Sequence, residues 1–143
     1  MSLDQVAKCV QIVSYLAAAT AAVSAVFVYR SNSRRERARW VESLYARFFE
    51  KNELKQVRDV LDCNSDDDKV SLLVSEEGSA WTDYLNFFEL VAYLQESNQV
   101  AAKDVNALFE YYLGCLKRHR ATIEYVRDEK KGFKYLRRLL QKI

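Results

Sequence analysis

The 143 residues carry 22 Lys and Arg against 20 Asp and Glu, with one His, three Cys, three Gly and no Pro. One His and no paired cysteine spacing exclude a CxxC or Cys/His zinc site within a single subunit. There is no glycine-rich phosphate loop and no nucleophile beside His119, so no catalytic set is visible and the chain reads as non-enzymatic, with no cofactor.

The first element runs from Cys9 to Tyr29, CVQIVSYLAAATAAVSAVFVY, between Lys8 and Arg30, and holds no charge. Its 21 residues make about 31 Å of helix at ~1.5 Å per residue, close to the ~30 Å hydrocarbon thickness of a bilayer. This predicts one transmembrane helix. Val23-Ser24-Ala25 resembles a signal-peptide cleavage site, but Asp4 and Lys8 cancel in front of it and the apolar run continues through Tyr29. Arg30, Arg34, Arg35, Arg37 and Arg39 follow the span, opposed by Glu36 alone. The positive-inside rule puts that side in the cytoplasm and the N-terminus outside. At 100° per residue Gln11, Ser14, Ala18, Ala21, Ala22 and Ala25 share one face, while Ile12, Leu16, Val23, Val26 and Phe27 are read on the opposite side. Small residues four apart let membrane helices approach closely, so this face is a candidate oligomer seam.

About 113 residues follow, enough for one small core. Their apolar residues fall at helical rather than alternating spacing. The expected fold class is all-α: an N-terminal transmembrane anchor over 1–32, then a cytosolic helical bundle over 33–143. A helix is expected from Ser33 to Glu50, with Trp40, Leu44 and Phe48 on its apolar face; Ser31-Asn32 is a poor breaker, so it can run on from the span. Lys51-Asn52 interrupts it, and Leu54, Val57, Val60 and Leu61 restart the period. Cys63 to Lys69, CNSDDDK, reads as a polar loop; its adjacent Asp66, Asp67 and Asp68 lack calcium-loop spacing. Val70–Val74 is short and apolar, and Ser75–Ser79 reads as a turn. Ala80–Glu96 is the most apolar helix and the expected centre of the core, ended by Ser97-Asn98. A long helix from about Ala102 is expected to reach His119 or beyond. Gly132 breaks the pattern before a last amphipathic helix over Phe133–Ile143.

Charge is sorted along the chain. Residues 40–116 hold six basic and fifteen acidic side chains, whereas residues 117–143 hold ten basic and three acidic. A basic tail suits anionic lipid, an acidic surface of the same domain or a neighbouring subunit, or a phosphate-bearing ligand. Tyr111, Tyr112, Tyr125, Phe133 and Tyr135 interleave with the cations, which suits a nucleotide. The candidate ligand-binding residues are Arg118, His119, Arg120, Arg127, Lys131 and Lys134. On one continuous helix Arg118, His119 and Arg120 point about 100° apart, so the expected site lies between subunits of a symmetric ring.

LNFFELVAYL (85–94), VNALFEYYLGCL (105–116) and IEYVRDEK (123–130) resemble an uncharacterised family of small bacterial single-pass membrane proteins with an Arg-rich juxtamembrane stretch and a helical cytosolic domain. The resemblance covers the span, residues 34–49 and about 84–131, and is most specific at Leu85-Asn86-Phe87-Phe88-Glu89 and Arg127. Ser97–Val100 stands where that family has a Gly-Ile turn. In plan (length, one anchor, basic helical domain) the chain is also similar to the membrane effector of type III CRISPR systems that senses cyclic tetra-adenylate. That resemblance implies a homo-oligomer, a tetramer in that effector. It also implies a bacterial inner-membrane location, a cyclic oligonucleotide rather than duplex nucleic acid as ligand, and a role in antiviral defence. The other expectation is a non-enzymatic, membrane-anchored adaptor that recruits a protein partner through its helical surface.

Overall fold

The computed structural model describes residues 3–62 and 66–143, and before Gln11 the side chains of Gln5 and Lys8 alone. The fold is all-α: seven helices and one 3₁₀ turn, with no strand among the described residues. The chain divides into two compact units, the residues up to Arg39 and Trp40–Ile143. The division falls later than the 32/33 boundary read from the sequence.

Helix α1 is Leu3–Glu50, a single helix of 48 residues, so no break occurs at Ser31-Asn32. It holds neither Pro nor Gly, and alanine is the best helix former. Thr20 turns its hydroxyl back onto the carbonyls of Leu16 and Ala17, at 3.0 and 2.9 Å, which hides a polar group along an apolar stretch. From Gln11 to Arg30 every side chain is exposed, including Leu16, Val23 and Phe27. Among the described residues this is the one helix long and apolar enough to cross a membrane.

In the second unit, α1 ends by entering the core. Leu44 and Phe48 are buried, and the Phe48 ring meets Tyr84, Phe87, Phe88, Phe109 and Tyr112 with centroids 4.8–5.9 Å apart. The open carbonyls of the last turn are capped by Arg58 of α2 (Asn52–Leu61), which donates to Phe48 O at 2.6 Å and Phe49 O at 3.5 Å. Its guanidinium also lies 4.8 and 4.9 Å from the two phenylalanine ring centroids.

Helix α3 is Asp67–Ser75, and here the structure corrects the expected loop over 63–69. Asp66 is its N-cap, accepting from Asp68 N at 3.2 Å, and Asp67 and Asp68 occupy the first turn, where negative charge favours a helix start. Cys63, Asn64 and Ser65 lie outside the described residues.

Helix α4, Ser79–Glu96, is the core helix, burying Trp81, Tyr84, Leu85, Phe87, Phe88, Val91, Ala92 and Leu94. Asn98 at φ 58° ends it, a left-handed position that asparagine tolerates, with Gln99 N donating to Leu94 O at 2.9 Å. Helix α5 is Ala102–Arg118 and α6 is Arg120–Arg127. The expected continuous helix is thus broken at His119, whose backbone is extended (φ −89°, ψ 121°). A 3₁₀ turn, Glu129–Lys131, and Gly132 at φ 85° lead into α7, Lys134–Lys142. Helix α7 packs on α4, burying Leu136, Leu139 and Leu140. Glu89 of α4 fixes its start by accepting from Tyr135 N at 3.0 Å and Leu136 N at 2.7 Å.

Candidate functional site

The break at His119 decides where the C-terminal cations go. His119 is buried, and its Nδ1 lies 2.8 Å from Asp67 Oδ1 at the start of α3. The ring joins α3 to the α5–α6 junction and is not presented with the neighbouring arginines. Arg118 and Arg120 are exposed on separate helices. Arg120 pairs with Glu124 at 2.7 Å, one turn on, and that hydrogen bond holds the guanidinium protonated above its usual range.

Other cations of the basic segment pair inside the domain. Lys131 bonds Glu77 and lies 4.7 Å from the Tyr125 ring centroid; the carboxylate raises its pKa above the ordinary lysine value. Arg138 pairs with Glu96 at 2.7 Å. Lys134 is exposed and lies 5.7 Å from the Tyr135 ring centroid. Part of the basic tail therefore neutralises the acidic middle of its own domain, one of the three roles open to it in the sequence.

Three cations converge elsewhere. Lys117 from the last turn of α5, Arg127 from the last turn of α6 and Arg137 from α7 line one cleft of about 260 Å³. Its remaining lining is Ile123, Val126, Leu140 and Gln141, with no carboxylate. Helical spacing accounts for the grouping. Ile123, Val126 and Arg127 fall at i, i+3, i+4 on α6, and Arg137, Leu140 and Gln141 do so on α7. Arg137 is held in place, donating to Arg127 O at 3.2 Å and pairing with Glu129 at 3.4 Å. Lys117 and Arg127 have no ion-pair partner among the described residues.

The positive field is less than three full charges. Lys117 and Arg127 sit at helix C-termini, whose dipoles supply up to about −0.5 charge each, and Glu129 offsets Arg137. The remainder is a net positive, half-open cleft with an apolar floor. It can take one anionic group on the two unpaired cations and lay an apolar or planar part on Ile123, Val126 and Leu140.

Of the six residues nominated from sequence, Arg127 alone lines this cleft; Arg118, His119, Arg120, Lys131 and Lys134 do not. Lys117 and Arg137 were missed, although both lie in the same basic segment. The nominated membrane seam, Gln11, Ser14, Ala18, Ala22 and Ala25, is exposed along its whole length. Gln11 donates to Tyr15 Oη at 3.0 Å on the same helix. No cluster of three or more His, Cys, Asp or Glu with metal-binding geometry occurs among the described residues. No family model, curated protein or solved structure matches this chain.

Proposed function

We propose that this protein is a membrane-anchored sensor whose helical domain binds an anionic nucleotide signal in the Lys117–Arg127–Arg137 cleft. The observation that carries the reading is a cleft lined by three cations and no carboxylate, over an apolar floor. Phosphate is the anion that Arg forks and Lys ammonium groups recognise best together. The exposed apolar stretch of α1 anchors the chain in a bacterial inner membrane. The arginines from Arg30 to Arg39 keep the domain in the cytoplasm. Subunits meet along the Ser14–Ala18–Ala22 face, and a ring of them, tetrameric by resemblance, suits a cyclic oligonucleotide such as cyclic tetra-adenylate in antiviral defence.

The test is a thermal-shift panel on the full chain in detergent, with cyclic oligonucleotides, linear mononucleotides and inorganic phosphate. A ligand at a hundred times its dissociation constant adds about 2.7 kcal/mol to the stability of the state it binds. A shift with any phosphate-bearing ligand, absent in Arg127→Gln, supports the reading. No shift across the panel leaves the adaptor as the better account.

A further inference from the structure

A second cleft, of about 220 Å³, lies between α2, α5 and the last turn of α1. Its chemistry differs from that of the first. Rings form its walls: Tyr112 meets Tyr111 at 5.2 Å and 88°, and Phe49 at 5.9 Å and 71°. Near-perpendicular rings make a corner in which a flat ligand stacks on one face and meets the edge of another.

The polar groups around this corner divide into fixed and available. Arg58 is committed to the Phe48 and Phe49 carbonyls, and the Asp62 carboxylate accepts from the Tyr111 hydroxyl. Lys55 and Asp59 have no ion-pair partner among the described residues, not even each other, although they stand one helical turn apart on α2. The cleft thus offers a cationic donor next to an anionic acceptor, beside aromatic faces. It is smaller than the ~300–1,000 Å³ of sites that enclose drug-sized ligands, so it suits a single fused ring rather than a whole dinucleotide.

We infer that this cleft is a nucleobase site with the hydrogen-bond pattern of guanine. The guanine edge carries a carbonyl oxygen next to two N–H donors. The oxygen matches the Lys55 ammonium, the N–H pair matches the Asp59 carboxylate, and the ring stacks in the Tyr111–Tyr112 corner. Adenine, with donor and acceptor exchanged along that edge, mismatches both side chains. Stacking on an aromatic face holds any base; the paired charges select among them. The site contains none of the residues of the basic cleft and needs no phosphate, so it stands or falls apart from the proposal above.

The experiment is equilibrium binding of free nucleosides, guanosine and adenosine, to the full chain in detergent, with Asp59→Asn and Tyr111→Leu as variants. Both positions are exposed, and Trp fluorescence confirms that the fold is kept. The expected result is guanosine bound tighter than adenosine, weakened tenfold or more by Asp59→Asn, with both nucleosides weakened by Tyr111→Leu. Guanosine bound no tighter than adenosine, no guanosine binding up to its solubility limit, or binding that either variant leaves unchanged, overturns the inference.

Discussion

Replacing Glu89 by Gln should loosen α7 from the domain while leaving the core intact. Glu89 is half-buried on α4, and its two oxygens accept from Tyr135 N and Leu136 N, two of the four amides that a helix start leaves without internal partners. Hydrogen bonds to a charged group contribute about 1.5–3 kcal/mol each, against about 0.5–1.5 for neutral pairs. Glutamine keeps one acceptor oxygen, loses the charge that complements the helix dipole, and turns an NH₂ towards the second amide. With partial exposure discounted, the expected loss is about 2 kcal/mol, or roughly 30-fold in the local opening equilibrium. Hydrogen exchange on the full chain in detergent reads this directly. Amides in the second half of α7 should exchange roughly 30-fold faster, while those around Val91 on α4 stay within about twofold of the parent. A change in α7 below about threefold would refute the view that Glu89 anchors this helix. Arg137 rides on α7, so the same variant should also weaken anion binding at the cleft.

Two glycine substitutions should act with opposite sign. Gly114 lies within α5 with open space where a methyl group would point, so Gly114→Ala should raise stability by about 0.5–1 kcal/mol in urea melts; Gly132, at φ 85°, should lose about 1–2 kcal/mol on the same change. Tyr84 is fully buried, its hydroxyl has no hydrogen-bond partner among the described residues, and burial raises its pKa well above the ordinary tyrosine value. The folded state holds that proton more tightly than the unfolded chain, so stability should fall as pH rises through about 10. Tyr84→Phe should remove that alkaline loss and at pH 8 be neutral or stabilising by up to about 1 kcal/mol; a lower urea midpoint at pH 8 would show that the hydroxyl is paired. The proposed association along the Ser14–Ala18–Ala22 face predicts that replacing Ala18 and Ala22 by Leu lowers the particle mass in detergent by light scattering; a parent that is already a single chain, or a mass unchanged by the substitutions, would refute that seam.

What the sequence made legible follows from how local the physics is. The long, exposed apolar helix needed only a count of uncharged residues between Lys8 and Arg30, and the core face of α4 needed only the spacing of Trp81, Leu85, Phe88 and Val91. The break at His119 carried no Gly or Pro, and apolar residues continued in near-helical register across it, so periodicity alone ran the helix on. Three adjacent acidic residues have the composition of a solvated loop, yet Asp66 caps α3, because an Asp just before an apolar run is also a helix-start signal. Glu89 carries no local signal of its role, because the backbone amides it accepts from are more than forty residues away, beyond any local rule. The cleft was legible as a basic segment and not as a set of residues. Which cations meet depends on how α5, α6 and α7 pack, and that packing turned Lys117 and Arg137 towards Arg127 while pairing Lys131 and Arg138 with carboxylates.

The central claim is that Lys117, Arg127 and Arg137 form one anion site, and calorimetric titration tests it most directly. The full chain in detergent is titrated with cyclic tetra-adenylate, mononucleotides and inorganic phosphate. The titrations are repeated with Lys117→Gln and Arg127→Gln, two exposed positions that pair with no carboxylate among the described residues. Each lost charge-assisted bond of about 1.5–3 kcal/mol should weaken a phosphate-bearing ligand roughly 10- to 150-fold, while Lys134→Gln, outside the cleft, leaves affinity within about threefold. Binding that survives both cleft substitutions, or that falls only with Lys134→Gln, would contradict the account.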